Sequence, residues 1–238
     1  MSSKLPASIF EDVIGPVMRG PSSSHYAAAL RIGRLARDLM GGQFTEVLVE
    51  FDRNGSLPTT HDSQGSDMGL FGGLMGWDAA DERLPGSPEA LRGLGVQIRI
   101  ETVDAGDPHP NTYRLTLRHG QEHRFVRAIS TGGGMMEVLN MDGFTVSMFG
   151  DYFETLLWVR REGHKLAQEL ATLVSADAIL VHEAAGEQVA AADGQRTDRS
   201  IDAAVERRPS DPVPTRHIAN ADASSVGERP AGIQEVGG

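Results

Sequence analysis

The sequence predicts a mixed α/β (α+β) protein, and three observations carry that prediction. Apolar residues recur at helical spacing over 27–40 and again over 163–174. Strict alternation marks Val96-Gln97-Ile98-Arg99-Ile100 and Tyr113-Arg114-Leu115-Thr116-Leu117 as half-buried strands. Clusters of Gly, Asn, Asp and Pro separate these runs, so the helices and strands are short and interleaved.

In chain order, residues 8–14 form a short amphipathic piece that stops at Gly15-Pro16. Two Gly/Pro pairs then bracket Arg19, and the loop delivers Ser22, Ser23, Ser24 and His25 to the start of the first helix. Ala29, Leu30, Ile32, Leu35, Ala36, Leu39 and Met40 keep helical spacing until Gly41-Gly42 ends it. Val47-Leu48-Val49-Glu50-Phe51 reads as a strand closed by the turn Asn54-Gly55-Ser56. A second hydroxyl-rich loop, 59–67, runs into an apolar helix of small residues over 68–75. Residues 81–84 read as a solvated turn, and 88–94 as a short helix closed by Gly95. The strand 113–117 turns through His119-Gly120-Gln121-Glu122 into a partner over 123–130, and Thr131-Gly132-Gly133-Gly134 follows. Beyond Gly143, strands over 144–148 and 154–159, a helix over 163–174 and a strand over 178–182 read as a small βαβ unit. From Gly186 on, periodic apolar residues vanish, so 186–238 is expected to be a flexible tail.

Composition narrows the function. The chain has 238 residues, a formal net charge of -11 and no cysteine. The acidic balance disfavours nucleic acid and anionic membrane surfaces as partners. Without cysteine the chain cannot form a disulfide, a thiolate nucleophile or a Cys-ligated metal or cluster site of its own. No apolar run approaches the roughly 20 residues that span a bilayer, and the expectation is a cytoplasmic protein. Lysine occurs only at Lys4 and Lys165, neither in a setting that suits a pyridoxal-phosphate Schiff base.

Three segments carry candidate chemistry. The first N–H groups of a helix lack intrahelical partners and its dipole is positive there, so the two hydroxyl-rich loops favour anions. One serine among Ser22, Ser23 and Ser24 serves as an N-cap, and Ser66 or Asp67 serves the same purpose in the second loop. Three hydroxyls beside an imidazole exceed that need and suit a small carboxylate ligand. Pro108 and Pro110 stiffen the third segment, so His109 and Asn111 project to one side of an extended chain. That arrangement suits two-point binding of a carboxylate or amine, and equally an ordinary solvated turn. The Gly132-Gly133-Gly134 run lets backbone amides approach a ligand, or simply makes a sharp turn.

Taken in order, Ile14-Gly15-Pro16-Val17, Gly20-Pro21-Ser22-Ser23-Ser24-His25, Arg31-Ile32-Gly33-Arg34, Gly65-Ser66-Asp67, Gly72-Gly73-Leu74, Asp81-Glu82-Arg83, His109-Pro110-Asn111-Thr112 and Ile129-Ser130-Thr131-Gly132-Gly133-Gly134 resemble the beta chain of the iron–sulfur-dependent L-serine dehydratases. The resemblance covers about 8–159. It implies a beta domain over 1–143 with a fold like the allosteric substrate-binding domain of phosphoglycerate dehydrogenases. A degenerate ACT-like βαβ unit over 144–185 would follow it. It further implies β-elimination of water from L-serine or a related hydroxy-amino acid, giving a 2-keto acid and ammonia. The [4Fe–4S] cluster would sit on a cysteine-containing alpha partner in a hetero-oligomer, with no metal ligated by this chain and no pyridoxal phosphate.

By the same resemblance His25, His109 and Asn111 would act in catalysis, while Ser22, Ser23, Ser24, Gln64, Gly65, Ser66 and Asp67 would bind substrate. Two positions depart from the family pattern. Gln64 stands where Gly-His-Gly-Thr-Asp places a histidine, with His61 three residues upstream as a substitute if the loop is rearranged; Tyr26 replaces the usual threonine. The competing reading is a non-catalytic domain on the same scaffold that binds an anionic or amino-acid effector; a neighbouring gene for a Cys-rich alpha chain separates the two. A self-sufficient metal enzyme using His25, His61 and His109 lacks the regular ligand spacing of a metal site.

Overall fold

In the computed structural model, which describes residues 22–151, 154–159, 162–176, 178–183, 203–208, 217–218 and 233–234, the alternating runs become one six-stranded sheet. Strands β1 (Glu46–Asp52) and β2 (Gln97–Val103) pair in parallel. A parallel pair needs a crossover, which α2 (Leu57–Thr60), α3 (Ser66–Leu74) and α4 (Ser87–Gly93) supply. Strands β3 (Thr112–His119), β4 (Glu122–Gly132), β5 (Met135–Met141) and β6 (Phe144–Met148) then run antiparallel, giving the spatial order β2-β1-β3-β4-β5-β6.

The period of two sorts the side chains by face. Val47, Val49 and Phe51 of β1, Tyr113, Leu115 and Leu117 of β3, and Val126 and Ala128 of β4 are buried in one core with two helices. Ile32, Leu35 and Leu39 of α1 (Ser23–Leu39) and Leu70, Phe71 and Leu74 of α3 fill the other side of that core. Among the alternate residues of the strands, Arg114 binds Asp107 through Nε at 2.8 Å and Nη2 at 2.9 Å.

Glycines set how closely α1 and α3 meet. A Cβ at Gly69 would stand 2.3 Å from the carbonyl oxygen of Tyr26, and one at Gly73 would stand 2.1 Å from that of Leu30. The contact advances four residues on each helix in the same direction, so α1 and α3 run parallel. Their first turns therefore lie side by side.

Three features differ from the sequence expectation. The stretch 144–148, grouped with the C-terminal unit, is β6 of the main sheet and pairs with β5. Asp142 (φ 49°) and Gly143 (φ 89°) join them in a two-residue turn, and Asp-Gly is the pair such hairpins favour. A second sheet contains β7 (Thr155–Val159), β8 (Ala178–Glu183), β9 (Ala203–Arg208), β10 (His217–Ile218) and β11 (Ile233–Gln234) in the order β11-β10-β7-β9-β8. Strands β7 and β8, linked by α5 (Gly163–Leu173), are not neighbours, because β9 pairs antiparallel with both. Strands β9 to β11 thus lie within the segment 186–238, the rest of which falls outside the described residues, as do residues 1–21. Among the described residues no helix is long and apolar enough to cross a membrane.

Two arginines tie the end of the main sheet to its surroundings. Arg31 of α1 donates to the Asp151 carboxylate at 2.6 Å and to the Phe149 carbonyl at 3.0 Å. The Arg124 guanidinium lies 4.7 Å over the Trp158 ring of β7.

Candidate functional site

The site is built from three segments at one end of the sheet, where β1 finishes and β3 begins. The first is the opening turn of α1. Ser22 occupies the N-cap position with extended backbone, yet its side chain makes no cap hydrogen bond. Its Oγ lies 2.9 Å from His25 Nδ1 instead. Ser23 and Ser24 fall in the first helical turn; their side chains lie outside the described residues. Tyr26 is fully buried, and its hydroxyl donates to the Ala79 carbonyl at 2.7 Å.

The second segment is the loop from α2 to α3. Gly65 precedes α3 in a left-handed conformation, φ 80° and ψ 15°, which a side chain would strain. That turn folds the loop back so that His61, at the end of α2, meets Asp67 in the first turn of α3. His61 Nδ1 lies 2.8 Å from both carboxylate oxygens. Burial pushes the Asp67 carboxyl above its ordinary range, and the His61 hydrogen bond offsets part of that rise. The His61 ring rests against Phe51 with centroids 5.2 Å apart. Ser66 is buried and accepts a hydrogen bond from the Tyr113 hydroxyl at 3.1 Å. Burial raises the Tyr113 hydroxyl far above its usual range, so it stays a donor. The Oε1 atom of Gln64 is buried with no hydrogen-bond partner among the described residues.

The third segment is the Pro-flanked loop before β3. The Asn111 backbone N–H donates to His109 Nδ1 at 3.2 Å, and Thr112 Oγ1 donates to the His109 carbonyl at 2.7 Å. Asn111 Oδ1 accepts a hydrogen bond from Ser56 Oγ. The Ser56 backbone N–H donates to the Pro110 carbonyl at 2.9 Å, and the Ser130 N–H donates to the Asn111 carbonyl at 3.0 Å. The loop is therefore fixed from both sides. Gly132, Gly133 and Gly134 all have positive φ, and open space stands where a Cβ would at Gly132 and Gly133. They serve the turn from β4 to β5, at the same end of the sheet.

The segments connect through two joints. Gly69 against Tyr26 sets the start of α3 beside the start of α1, and Tyr113 to Ser66 links α3 to β3. His25 makes no hydrogen bond to His109 or Asn111 among the described residues. Among the described residues no group of three His, Asp or Glu side chains is placed to hold a metal ion. Sequence reasoning missed Ser56 and Tyr113. The alternation of 113–117 places Tyr113 with Leu115 and Leu117 on the buried face, while nothing in the sequence marks Ser56 beyond its turn.

The chain is 39% identical over 141 residues to a probable L-serine dehydratase, beta chain, of Bacillus subtilis (strain 168), covering 59% of this chain and 63% of that one. It is 35% identical over 148 residues to an L-serine dehydratase, beta chain, of Peptoniphilus asaccharolyticus, covering 61% and 66%. The chain spans slightly less than two thirds of the length of these curated relatives. No family model matches it. The resemblance read from the loop motifs is thus a similarity to L-serine dehydratase beta chains over about 60% of this chain.

Proposed function

We propose that this chain is the beta subunit of an L-serine dehydratase or a close relative, a lyase that removes water from a hydroxy-amino acid to give a 2-keto acid and ammonia. The observation that carries the reading is that the starts of α1 and α3 lie side by side and that Tyr113, just past the His109–Asn111 loop, donates to Ser66 of α3, together with the similarity to beta chains. Two parallel helices with neighbouring N-termini direct their positive dipole ends toward a carboxylate. Ser22 to Ser24 and Gly65 to Asp67 would hold that carboxylate, and the buried acceptor of Gln64 suits an ammonium group. His25, His109 and Asn111 would orient the substrate, since fixed geometry supplies several kcal/mol of a barrier.

With no cysteine in the sequence and no grouped metal ligands among the described residues, an iron–sulfur cluster does not fit this chain's own residues. It would belong to the thiolates of an alpha partner. The order β7-β9-β8, with a helix between β7 and β8, is a split βαβ arrangement and supports the ACT-like reading of the C-terminal unit.

Anaerobic co-expression with a cysteine-bearing candidate alpha chain tests the proposal through 2-keto acid release from serine, threonine and their analogues. The expected result is release by the complex and loss of at least about tenfold in kcat/KM in His109→Ala and Asn111→Ala, from one lost hydrogen bond of roughly 1.4 kcal/mol or more. A complex that forms but releases no keto acid would leave the chain an effector-binding domain. Unchanged kinetics in both variants would remove the site.

A further inference from the structure

Strand β2 lies at one end of the six-stranded sheet and, among the described residues, pairs only with β1. Its backbone groups alternate in direction. The Gln97 N–H donates to the Thr45 carbonyl at 2.9 Å, and the Val103 carbonyl accepts the Arg53 N–H at 2.7 Å, so the odd-numbered residues turn their N–H and C=O groups toward β1. Those of Ile98, Ile100 and Thr102 therefore face outward along the free edge. Sheet edges are commonly blunted by short length, proline, lysine or a bulge. Strand β2 has seven residues, no proline and no lysine, and it keeps an unbroken register with β1.

The side chains alternate as well. Ile98 and Ile100 pack on the main core but are only partly covered by it. Arg99 and Glu101 stand on the opposite face, 62% and 47% exposed, with opposite charges two residues apart.

We propose that this edge joins two copies of the chain, with β2 pairing antiparallel to β2 of the second copy about a two-fold axis at Ile100. In that register the strand is its own complement. Ile100 meets Ile100 and Ile98 meets Thr102, so every outward N–H and C=O of these three residues finds a partner across the axis. Arg99 stands directly opposite Glu101 of the second copy, and Glu101 opposite Arg99, in the closer, non-hydrogen-bonded kind of pair. A slip of two residues in either direction sets Arg99 against Arg99 or Glu101 against Glu101, which like charges oppose. A slip of one residue puts the isoleucines on the wrong face. Charge and apolar pattern thus select the same register, and the paired isoleucines cover the margin that each core leaves open. None of these residues belongs to the dehydratase site, so the pairing stands or falls apart from that reading.

Sedimentation of the full-length chain, 25.5 kDa as one copy, measures the association. The expected mass is that of two copies, falling to one on dilution. Arg99→Glu and Glu101→Arg each set like charges opposite one another on both sides of the axis, and each is expected to weaken the dimer by about tenfold or more. Both positions are exposed, so circular dichroism should show each variant folded. An equimolar mixture of the two variants is expected to dimerise again, because every opposed pair between them is of opposite sign. Neither variant keeps the 3.6 Å contact of Arg99 with Glu101 within its own strand, so recovery on mixing reads the contact between chains. Ile100→Pro removes an outward N–H and no bond to β1, and is expected to leave a folded monomer. A wild-type chain that stays a single copy at high concentration, a dimer indifferent to both reversals, or a mixture no tighter than its components overturns the pairing. So does a monomer with slow amide exchange at Ile98, Ile100 and Thr102, which would seat another segment of the same chain on the edge.

Discussion

Asp52 ends β1 with its carboxylate turned back on the main chain, accepting the backbone N–H of Asp107 at 2.9 Å and of Asn54 at 2.8 Å. These bonds, Asp107 first, hold its carboxyl below the ordinary range. Such a group adds stability that is present above the unfolded value and lost as pH falls through the folded one. Asp52→Asn is therefore expected to unfold at lower urea than the wild type at neutral pH, with the two midpoints converging in strong acid. A gap that persists at about pH 2 would contradict this. At the same scale the sequence was only partly readable. The loop compositions marked the candidate positions, but the His61–Asp67 pair depends on the left-handed turn at Gly65, which spacing along the chain does not reveal. Ser22 was readable as a cap, yet its hydroxyl turns to His25, a choice set by local side-chain geometry.

Among the elements, α1 and α3 rest on three glycines. Gly33 faces the Leu70 carbonyl, while Gly69 and Gly73 face those of Tyr26 and Leu30. Gly73→Ala would place a Cβ 2.1 Å from the Leu30 oxygen and 2.8 Å from the Arg34 nitrogen, both backbone atoms that cannot swing aside. The expected loss is about 1–3 kcal/mol or more, as for overpacking elsewhere, despite alanine's better helix propensity. Thermal unfolding of the variant measures it, and a Tm at or above the wild type's would refute the packing account. The helices and the alternating strands were legible because their apolar periods are clean. Strand β6 lies on the main-sheet side of the boundary expected at Gly143, because Asp142-Gly143 is a hairpin turn and not a break between units. Strands β9 to β11 have no apolar period that marks them, and β9 gains its place by pairing with β7 and β8.

On the scale of the molecule, Trp158 joins the second sheet to the first. It is 5% exposed, belongs to the main core and lies beneath Arg124, which also pairs with Asp142 at 3.3 Å. Trp158→Ala is expected to cost about 3–5 kcal/mol, the usual size for a buried aromatic. Urea unfolding followed by circular dichroism reads that cost, and a loss below about 1 kcal/mol would show that the sheets do not depend on this contact. No single segment of sequence announces such a joint, since Arg124, Asp142 and Trp158 are brought together only by the folded sheets. The interlock of α1 and α3 has a consequence for any ligand. With carbonyl oxygens seated where side chains would otherwise stand, the two helices engage like gear teeth, and neither can slide past or roll against the other without collision. Ser22 and Gly65 thus keep a constant separation, and any accommodation to the shape of a guest molecule falls to the strand-side rim.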